Sequence, residues 1–148
     1  MITLRNFTND DEAILQQYRY QSMSLEEIKE MISDWNKKEY KSRYFEMFAV
    51  MNEQTVIGCI SLYQHSENVI SCGPEIFTCY RKQGYGKKAL SLALEMAKRK
   101  GYKIVSQQIR TNNAASIALH QSMGFETDGY VYINKRGNDV VIYLKLLT

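Results

Sequence analysis

The first twenty residues combine an alternating pattern with a helical one. Apolar Ile2 and Leu4 alternate with polar neighbours, which predicts a short strand with one buried face. Asn9 or Thr8 can cap a helix that runs to about Tyr20, because acidic residues fill its first turn and apolar side chains share one face. The chain is therefore predicted to begin with a strand and a helix.

A second helix is predicted directly after the first. Ser24 is followed three residues later by Glu27, which is typical of a capping box in which each side chain bonds the backbone of the other residue. The apolar residues of this segment recur at helical spacing: Leu25, Ile28, Ile32 and Trp35. The polar segment NKKEYKS then interrupts the pattern, so the helix is predicted to end there.

From Tyr44 onwards the period of the pattern is two, which indicates strands. The segments YFEMFAVM and VIGCISLYQ, joined by NEQT, predict an antiparallel hairpin. A further strand is predicted over residues 68–77 and contains Gly73 and Pro74. Proline lacks an N–H and glycine lacks a side chain to pack, so we expect a bulge or a splayed edge at this pair.

Helices and strands alternate in the second half of the chain. A helix with an apolar face ends at Gly101, a strand follows over residues 102–110, and the helix NAASIALHQSM is closed by Gly124. GYVYIN and VVIYLKLL predict a terminal hairpin. The order β α α β β β α β α β β predicts one α/β domain of the α+β type over residues 1–148, with a mostly antiparallel sheet of six to seven strands and four helices.

Composition excludes several classes of function. The net charge is +3 and the cations do not form a continuous stripe, so a nucleic-acid partner is not expected. No apolar run approaches the roughly 20 residues of a membrane span, so no membrane partner is expected. The three cysteines are an odd number without metal-ligand spacing, which predicts reduced thiols and no metal. The N-terminal segment lacks the apolar run of a signal peptide, and together with the missing membrane span this predicts a cytoplasmic protein.

The segment YRKQGYGKK, which opens the third helix, is the most informative part of the chain. The first N–H groups of a helix have no partner within it, and the helix dipole makes them a seat for anions. Gly84 and Gly86 allow close approach and positive φ angles. Four cations surround the seat, Arg81, Lys82, Lys87 and Lys88, and favour a ligand with several phosphates.

Three other interpretations of this loop compete with a seat for several phosphates. A tight turn with a solvated basic face is the plainest. A Walker loop is excluded, because Arg81 stands where its first glycine is needed and Lys88 where it has Ser or Thr. The match of GYGKKA to the dinucleotide fingerprint is weak, because no acidic residue ends the next strand and the chain is too short for a doubly wound sheet.

The pattern RKQGYG after a strand, read together with NNAASIALHQSMGF, resembles the GNAT superfamily of acyl-CoA-dependent N-acetyltransferases. The resemblance covers nearly the whole chain, and the second motif looks closest to the phosphinothricin-acetyltransferase-like branch. It implies a GNAT fold whose sheet splays between the strands at residues 68–77 and 102–110. It also implies acetyl-CoA as co-substrate, no metal, and a monomer or homodimer.

The resemblance implies a set of cofactor-binding residues. Amides from about Gln83 to Lys88 would hold the diphosphate of coenzyme A, and Ile76 and Thr78 would pair with its pantetheine arm through the main chain. Asn113 would bond that arm from the other side, although a plain helix cap is an equally good use of this residue. The full set is Ile76, Phe77, Thr78, Arg81, Lys82, Gln83, Gly84, Tyr85, Gly86, Lys87, Lys88, Asn113, Ser116 and His120.

Amine acetylation needs a base, because an alkyl ammonium has a pKa of about 10.4 and only the neutral amine attacks. Glu75 is the carboxylate nearest the expected splay and is the candidate base. His120 stands where the family commonly has Tyr and is the candidate proton donor to the coenzyme A sulfur, with Tyr130 and Tyr132 as alternatives. Gln108 occupies a position where some members carry Glu, and an amide cannot take a proton.

The acceptor is predicted only as a primary amine of a small molecule or peptide. In this family it enters between the two early helices and the terminal hairpin. Tyr18, Tyr20 and Trp35 either line its pocket or form an apolar helix face. A covalent acyl-enzyme on Cys79 is not favoured, since no His or Asp is placed to activate it. The alternative function is a sensor or interaction module that binds acyl-CoA without turnover.

Overall fold

The segments of alternating apolar residues form one sheet. The computed structural model describes all residues from 1 to 148. The strands are β1 Ile2–Asn6, β2 Glu39–Tyr40, β3 Arg43–Asn52, β4 Thr55–Gln64, β5 Val69–Ile76, β6 Ile104–Arg110, β7 Tyr132–Ile133 and β8 Asp139–Leu146. Their order is β1-β3-β4-β5-β6-β8-β7, with β2 paired to β3. Only β5 and β6 run parallel, so the predicted mixed, mostly antiparallel α/β fold is confirmed.

The sheet has eight strands, whereas six to seven were predicted. The additional strand is β2, two exposed residues that pair with the start of β3. It lies within the polar segment NKKEYKS, where no alternation of apolar residues marks a strand. The β7 strand is also shorter than the predicted GYVYIN segment, since only Tyr132 and Ile133 pair with β8.

Four helices cover the sheet: α1 Glu12–Tyr18, α2 Leu25–Trp35, α3 Tyr85–Arg99 and α4 Ala114–Ser122. The predicted capping box of α2 is confirmed, because the Glu27 N–H donates to Ser24 Oγ at 3.1 Å and the Ser24 N–H donates to Glu27 Oε1 at 3.0 Å. The first helix ends two residues earlier than predicted and is preceded by a 3-10 turn over Asn9–Asp11. None of the helices is long and apolar enough to cross a membrane.

Each face of the sheet carries its own apolar core. One face packs against α3 and α4, and its cluster of 19 buried residues includes Leu90, Ala93 and Ala97 of the predicted apolar face of α3. The other face packs against α1 and α2 through a cluster of nine buried residues centred on Phe7, Leu15 and Phe77. A side chain on the sheet therefore faces one helix layer or the other, and this decides which candidate residues can meet.

The parallel pair β5 and β6 separates soon after it forms. Only two register pairs join these strands, Val69 with Ile104 and Ile70 with Val105. Over the rest of its length β5 keeps its antiparallel ladder with β4 and has no strand on its other edge. The predicted splay between these two strands is therefore observed.

A bulge is present, but it does not lie at Gly73 and Pro74 as one form of the prediction placed it. Both residues pair in regular register with β4. The bulge lies in β4 itself, because Val56 and Gly58 pair with consecutive residues of β3 and Ile57 between them has no partner there. Pro74 is tolerated because its missing N–H faces the splay and not the ladder with β4. Pro74 therefore fits into a regular β5 strand because it lies on the unpaired edge of that strand.

Candidate functional site

The loop before α3 exposes a row of unpaired backbone donors. The N–H groups of residues 82–87 have no acceptor within the protein, whereas the Lys88 N–H bonds the carbonyl of Gly84 at 3.3 Å. Lys82 and Gly84 have φ angles of 64° and 81°, and no side chain caps the helix. These left-handed residues turn successive N–H groups towards one place, which is the geometry of an anion-binding nest.

Positive charge surrounds this nest. Its four cations, Arg81, Lys82, Lys87 and Lys88, are exposed, and none forms an ion pair with a carboxylate. Only Arg81 has a fixed contact, because its Nε donates to the carbonyl of Ile76 at 2.8 Å. The loop can therefore hold a ligand with several negative charges, and a diphosphate fits the residues present better than a single carboxylate does.

The first turn of α3 lies directly beside the end of β5. A Cβ built on Gly86 would lie 3.7 Å from Ile76 Cγ1 and 3.8 Å from Leu119 Cδ2 of α4. Tyr85 anchors the turn from the other side, since its hydroxyl accepts from Asn52 Nδ2 at 3.3 Å. The anion seat, the end of β5 and the middle of α4 at Leu119 therefore lie next to one another.

The free edge of β5 offers few main-chain groups to a ligand. Main-chain groups of alternate residues point to opposite sides of a strand, and the Phe77 N–H points to β4, where it bonds the Ile57 carbonyl at 2.9 Å. The N–H of Ile76 therefore points into the splay, and Pro74 has none to offer. Because the Ile76 carbonyl already accepts from Arg81, its N–H is the group left for a partner.

The remaining predicted residues of this region differ in access. Phe77 is 1% exposed and stacks on Tyr18 with ring centroids 5.3 Å apart, so only its main chain can reach a ligand. Thr78 and Gln83 are exposed, and the Thr78 carbonyl accepts from the Arg81 N–H at 3.3 Å. The structure brings these residues together with the loop, while their contact with a cofactor stays a prediction.

Glu75 lies at the splay on the face of α1 and α2. Its register partner Cys59 belongs to the core cluster of that face, and its Oε1 lies 2.5 Å from Nε of Arg19, which follows α1. Both side chains are about two-fifths exposed, 41% for Arg19 and 39% for Glu75. The candidate base is therefore accessible but already has a cationic partner, and its catalytic role stays a prediction.

His120 lies on the opposite face, in α4, and is 1% exposed. Its Nδ1 lies 2.7 Å from the Ser116 carbonyl, its Nε2 lies 3.5 Å from Nε2 of Gln107, and its ring packs edge-on against Phe125. Burial lowers the pKa of His120, and the bond to the Ser116 carbonyl offsets only part of that effect. The ring is therefore neutral at physiological pH and bonded within the protein, while its predicted role as proton donor stays untested.

Asn113 caps α4, as one of its two predicted roles requires. Its Oδ1 accepts from the Ser116 N–H at 3.1 Å. Its amide nitrogen makes no hydrogen bond within the protein and is exposed, so this group is free for the predicted contact with the pantetheine arm.

Two polar side chains of β6 face opposite sides of the sheet. Gln108 lies on the side of α1 and α2 and joins the terminal hairpin, donating to Tyr132 Oη at 3.4 Å and accepting from Asn134 Nδ2 at 3.2 Å. With Lys135 and Arg136 these residues line a shallow depression. The depression lies on the terminal hairpin, which is one of the segments that border the predicted route of the acceptor.

Gln107, the neighbour of Gln108, was not predicted as a site residue. It is 8% exposed and fills the gap between β5 and β6, where its amide bonds both main-chain groups of Cys72. The signal for it was present in the pattern, because Gln107 stands between the buried residues Val105 and Ile109 of an alternating strand. A polar residue at such a position requires hydrogen-bond partners.

The aromatic residues of the early helices pack inward. Trp35 lies 5.4 Å from the ring of Phe7 and 6.3 Å from that of Tyr20, measured between centroids. The apolar-face interpretation of Tyr18, Tyr20 and Trp35 therefore describes their contacts. The three cysteines are free, and no group of three or more His, Cys, Asp or Glu side chains is placed to hold a metal ion.

Known families and structures resemble this chain over most of its length. A family model described as an acetyltransferase (GNAT) domain matches residues 2–126. Ribosomal-protein-alanine N-acetyltransferase from Brucella melitensis is 22% identical with a TM-score of 0.77, covering 98% of this chain and 99% of that one. Spermidine N-acetyltransferase from Vibrio cholerae, in complex with CoA and spermine, is 18% identical with a TM-score of 0.78, covering 99% and 95%. No curated protein sequence matches the chain.

Proposed function

The chain belongs to the acetyltransferase (GNAT) domain family, and we propose that it transfers the acetyl group of acetyl-CoA to a primary amine of a small molecule or peptide, by direct attack in a ternary complex. The family match confirms the predicted class, an acetyl-CoA-dependent N-acetyltransferase. The observation that carries the proposal is the row of unpaired N–H groups at residues 82–87, next to the open edge of β5.

The loop and α4 bind the co-substrate in this proposal. N–H groups from Gln83 to Lys87, with the surrounding cations, hold the diphosphate of coenzyme A, and the free amide nitrogen of Asn113 bonds the pantetheine arm. The arm runs along β5, where the main chain from Ile76 to Thr78 lines its path. Acetyl-CoA supplies an activated thioester, and the protein supplies its position.

The N–H of Ile76 is the proposed donor to the thioester oxygen. It points into the splay and has no partner there, so it is placed to stabilise negative charge that develops on that oxygen. A single preorganised donor of this kind contributes about 2.7 to 4 kcal/mol. Holding both reactants in one cleft contributes a further 7 to 11 kcal/mol or so in well-oriented cases.

Two residues remain candidates for proton transfer. Glu75 takes the proton that leaves the attacking amine, directly or through water, and its exposure on the face of α1 and α2 supports this role. The coenzyme A sulfur then needs a proton as the C–S bond breaks. His120 is the donor carried over from the resemblance, and Tyr130 and Tyr132 are the alternatives on the exposed hairpin.

Finer assignments are part of the same proposal. The NAASIALHQSMGF segment supports the phosphinothricin-acetyltransferase-like branch. Residues 1–148 are proposed to be a single acyltransferase domain, present as a monomer or homodimer. A cytoplasmic location is supported by the three free cysteines.

The decisive experiment mixes the protein with acetyl-CoA and a panel of amines: amino acids, polyamines, aminoglycosides and peptide N-termini. Release of free coenzyme A with one class of amine is the expected result. A thermal shift with acetyl-CoA but no turnover across the panel would instead favour a sensor or interaction module. The ion pair that already occupies Glu75 is the observation that keeps this second candidate open.

A further inference from the structure

Where the main-chain hydrogen bonds between β5 and β6 end, a side chain takes the place of the missing strand partner. Beyond the pair of Ile70 and Val105, the next residue of β5 with main-chain groups in the gap is Cys72. Its N–H donates to Gln107 Oε1 at 2.7 Å, and its carbonyl accepts from Gln107 Nε2. The side-chain amide of Gln107 thus supplies the donor and the acceptor that a strand residue of β6 would have supplied.

This bridge fixes how far the splay extends. Edge groups of β5 recur every second residue, at Cys72, Pro74 and Ile76, and two residues span about 6.6 Å of strand. Gln107 occupies both groups of Cys72, and Pro74 has no N–H. A chain that pairs with this edge therefore finds one free N–H, that of Ile76, and one free carbonyl, that of Pro74, and these two groups favour a single register of binding.

His120 determines the orientation of the Gln107 amide. Its Nδ1 faces the Ser116 carbonyl, which can only accept, so Nδ1 carries the proton and Nε2 presents a lone pair. Nε2 of Gln107 lies 3.5 Å away and is the only amide atom that can donate to it. The N–H and the carbonyl of Cys72 require the same orientation of the Gln107 amide, so the three hydrogen bonds are compatible with one another.

We propose that Gln107, oriented by His120, is the positioning residue that ends the sheet at Cys72 and so sets the register of the pantetheine arm on β5. The inference rests on the proposed function, since it concerns the acetyl-CoA of that same site. It gives His120 a role through Gln107, as the alternative to the proton donation to the coenzyme A sulfur proposed above. Without the bridge, the Cys72 groups are open to the arm or to water, and the thioester is no longer held beside the Ile76 N–H.

Gln107→Leu tests the bridge, because leucine keeps the approximate size but cannot bond Cys72. The probes are acetyl-CoA, which occupies loop and splay, and ADP, which carries the diphosphate and lacks the pantetheine arm. We expect the kcat/KM for acetyl-CoA to fall tenfold or more while the dissociation constant of ADP changes less than about twofold. Gln121→Leu, an exposed glutamine of α4 without side-chain bonds, is the matched control and leaves both values unchanged.

Two outcomes would overturn the proposal. One is an unchanged kcat/KM for acetyl-CoA, and the other is a loss of ADP affinity by the same factor as the loss of kcat/KM for acetyl-CoA. If Gln107→Leu does not fold, Gln107→Glu serves instead, because it keeps the acceptor for the Cys72 N–H and loses the donor to the Cys72 carbonyl and to His120. Amide hydrogen exchange gives a direct second readout. The Cys72 N–H is expected to be protected in the wild type and to exchange freely in Gln107→Leu, which lacks its acceptor, and equal protection in these two proteins would also contradict the bridge.

A double-mutant cycle separates the two roles of His120. If His120 acts through Gln107, Gln107→Leu combined with His120→Phe is no worse than Gln107→Leu alone. Additive losses in kcat would overturn the role through Gln107 and support a proton donor. The binding measurements also distinguish failures: no binding of acetyl-CoA to the wild type refutes the proposed function, whereas binding with no effect of Gln107→Leu refutes only this inference.

Discussion

Arg19 and Glu75 form an ion pair on the face of the sheet that carries α1 and α2, with Nε and Oε1 2.5 Å apart. Both groups are partly exposed, so the pair contributes little to stability, in the range of about 0 to 1 kcal/mol. The pair matters because of its position: it holds the Glu75 carboxylate close to Ile76, whose N–H points towards the open edge of β5. An approaching amine can replace the guanidinium as the partner of this carboxylate.

Glu75→Gln is expected to lower kcat by about 100-fold at neutral pH, because an amide cannot take the amine proton. The affinity for acetyl-CoA should not change, since the loop and the β5 main chain are intact. Steady-state kinetics checks this, and Glu95→Gln, an exposed residue of α3 without an ion pair, is the control. A kcat that survives Glu75→Gln would remove this residue from the mechanism.

Gly84→Ala should weaken coenzyme A binding, because Gly84 holds a left-handed conformation that alanine adopts at a cost of roughly 1 to 2 kcal/mol. Gly101→Ala is the matched control, since Gly101 also has a positive φ, of 94°, and open space around its Cβ position. Both variants should lower the melting temperature, but only Gly84→Ala should raise the dissociation constant of coenzyme A. Calorimetric titration measures it, and equal constants for the two variants would refute the loop as the seat.

Gly58→Ala tests the bulge of β4. A Cβ at this position would lie 2.9 Å from the Ile76 Cα and closer still to the Glu75 carbonyl oxygen, so β5 must move. Overpacking of this kind costs about 1 to 3 kcal/mol, and a chain of this size should lose several degrees of melting temperature. Gly73→Ala is the control, because its Cβ meets only Ser61 Oγ at 3.5 Å. Equal melting temperatures would contradict the close approach.

Asp11 is expected to contribute to the acid sensitivity of the fold. Burial alone would raise its pKa, but hydrogen bonds from Arg5 and from the Thr8 N–H outweigh it, so the folded pKa lies below the usual value. The stabilisation is therefore complete above the unfolded pKa of about 3.9 and is lost as the pH falls through the folded pKa.

Urea unfolding between pH 5 and pH 2 measures this dependence. The Asp11→Asn variant should show a shallower loss of unfolding free energy on acidification than the wild type. Asp10→Asn, which changes an exposed neighbour without an ion pair, should keep the wild-type slope. An acid slope unaffected by Asp11→Asn would show that the bond to Arg5 does not perturb this carboxyl.

Features with local causes were predictable from the sequence. The box of Ser24 and Glu27, the cap at Asn113 and the apolar face of α3 depend on residues within one helix. The loop at Gly84 was predictable for the same reason, because its left-handed turn precedes the helix it opens. Such patterns are visible in a few neighbouring residues.

Features that depend on contacts between distant strands were missed or misplaced. Gly73 and Pro74 suggested a bulge, but the bulge lies in β4 because Gly58 must admit the backbone of β5, which no neighbouring residue reveals. The bridge from Gln107 to Cys72 spans 35 residues of sequence. The sequence shows a glutamine in an apolar register, but not which main-chain groups it bonds.

A crystal structure with bound coenzyme A tests the central claim most directly. We predict diphosphate oxygens within hydrogen-bond distance of the N–H groups between Gln83 and Lys87, and a pantetheine arm that follows β5 to the Ile76 N–H. A diphosphate bound elsewhere, with those N–H groups bonded to protein or solvent, would contradict the account.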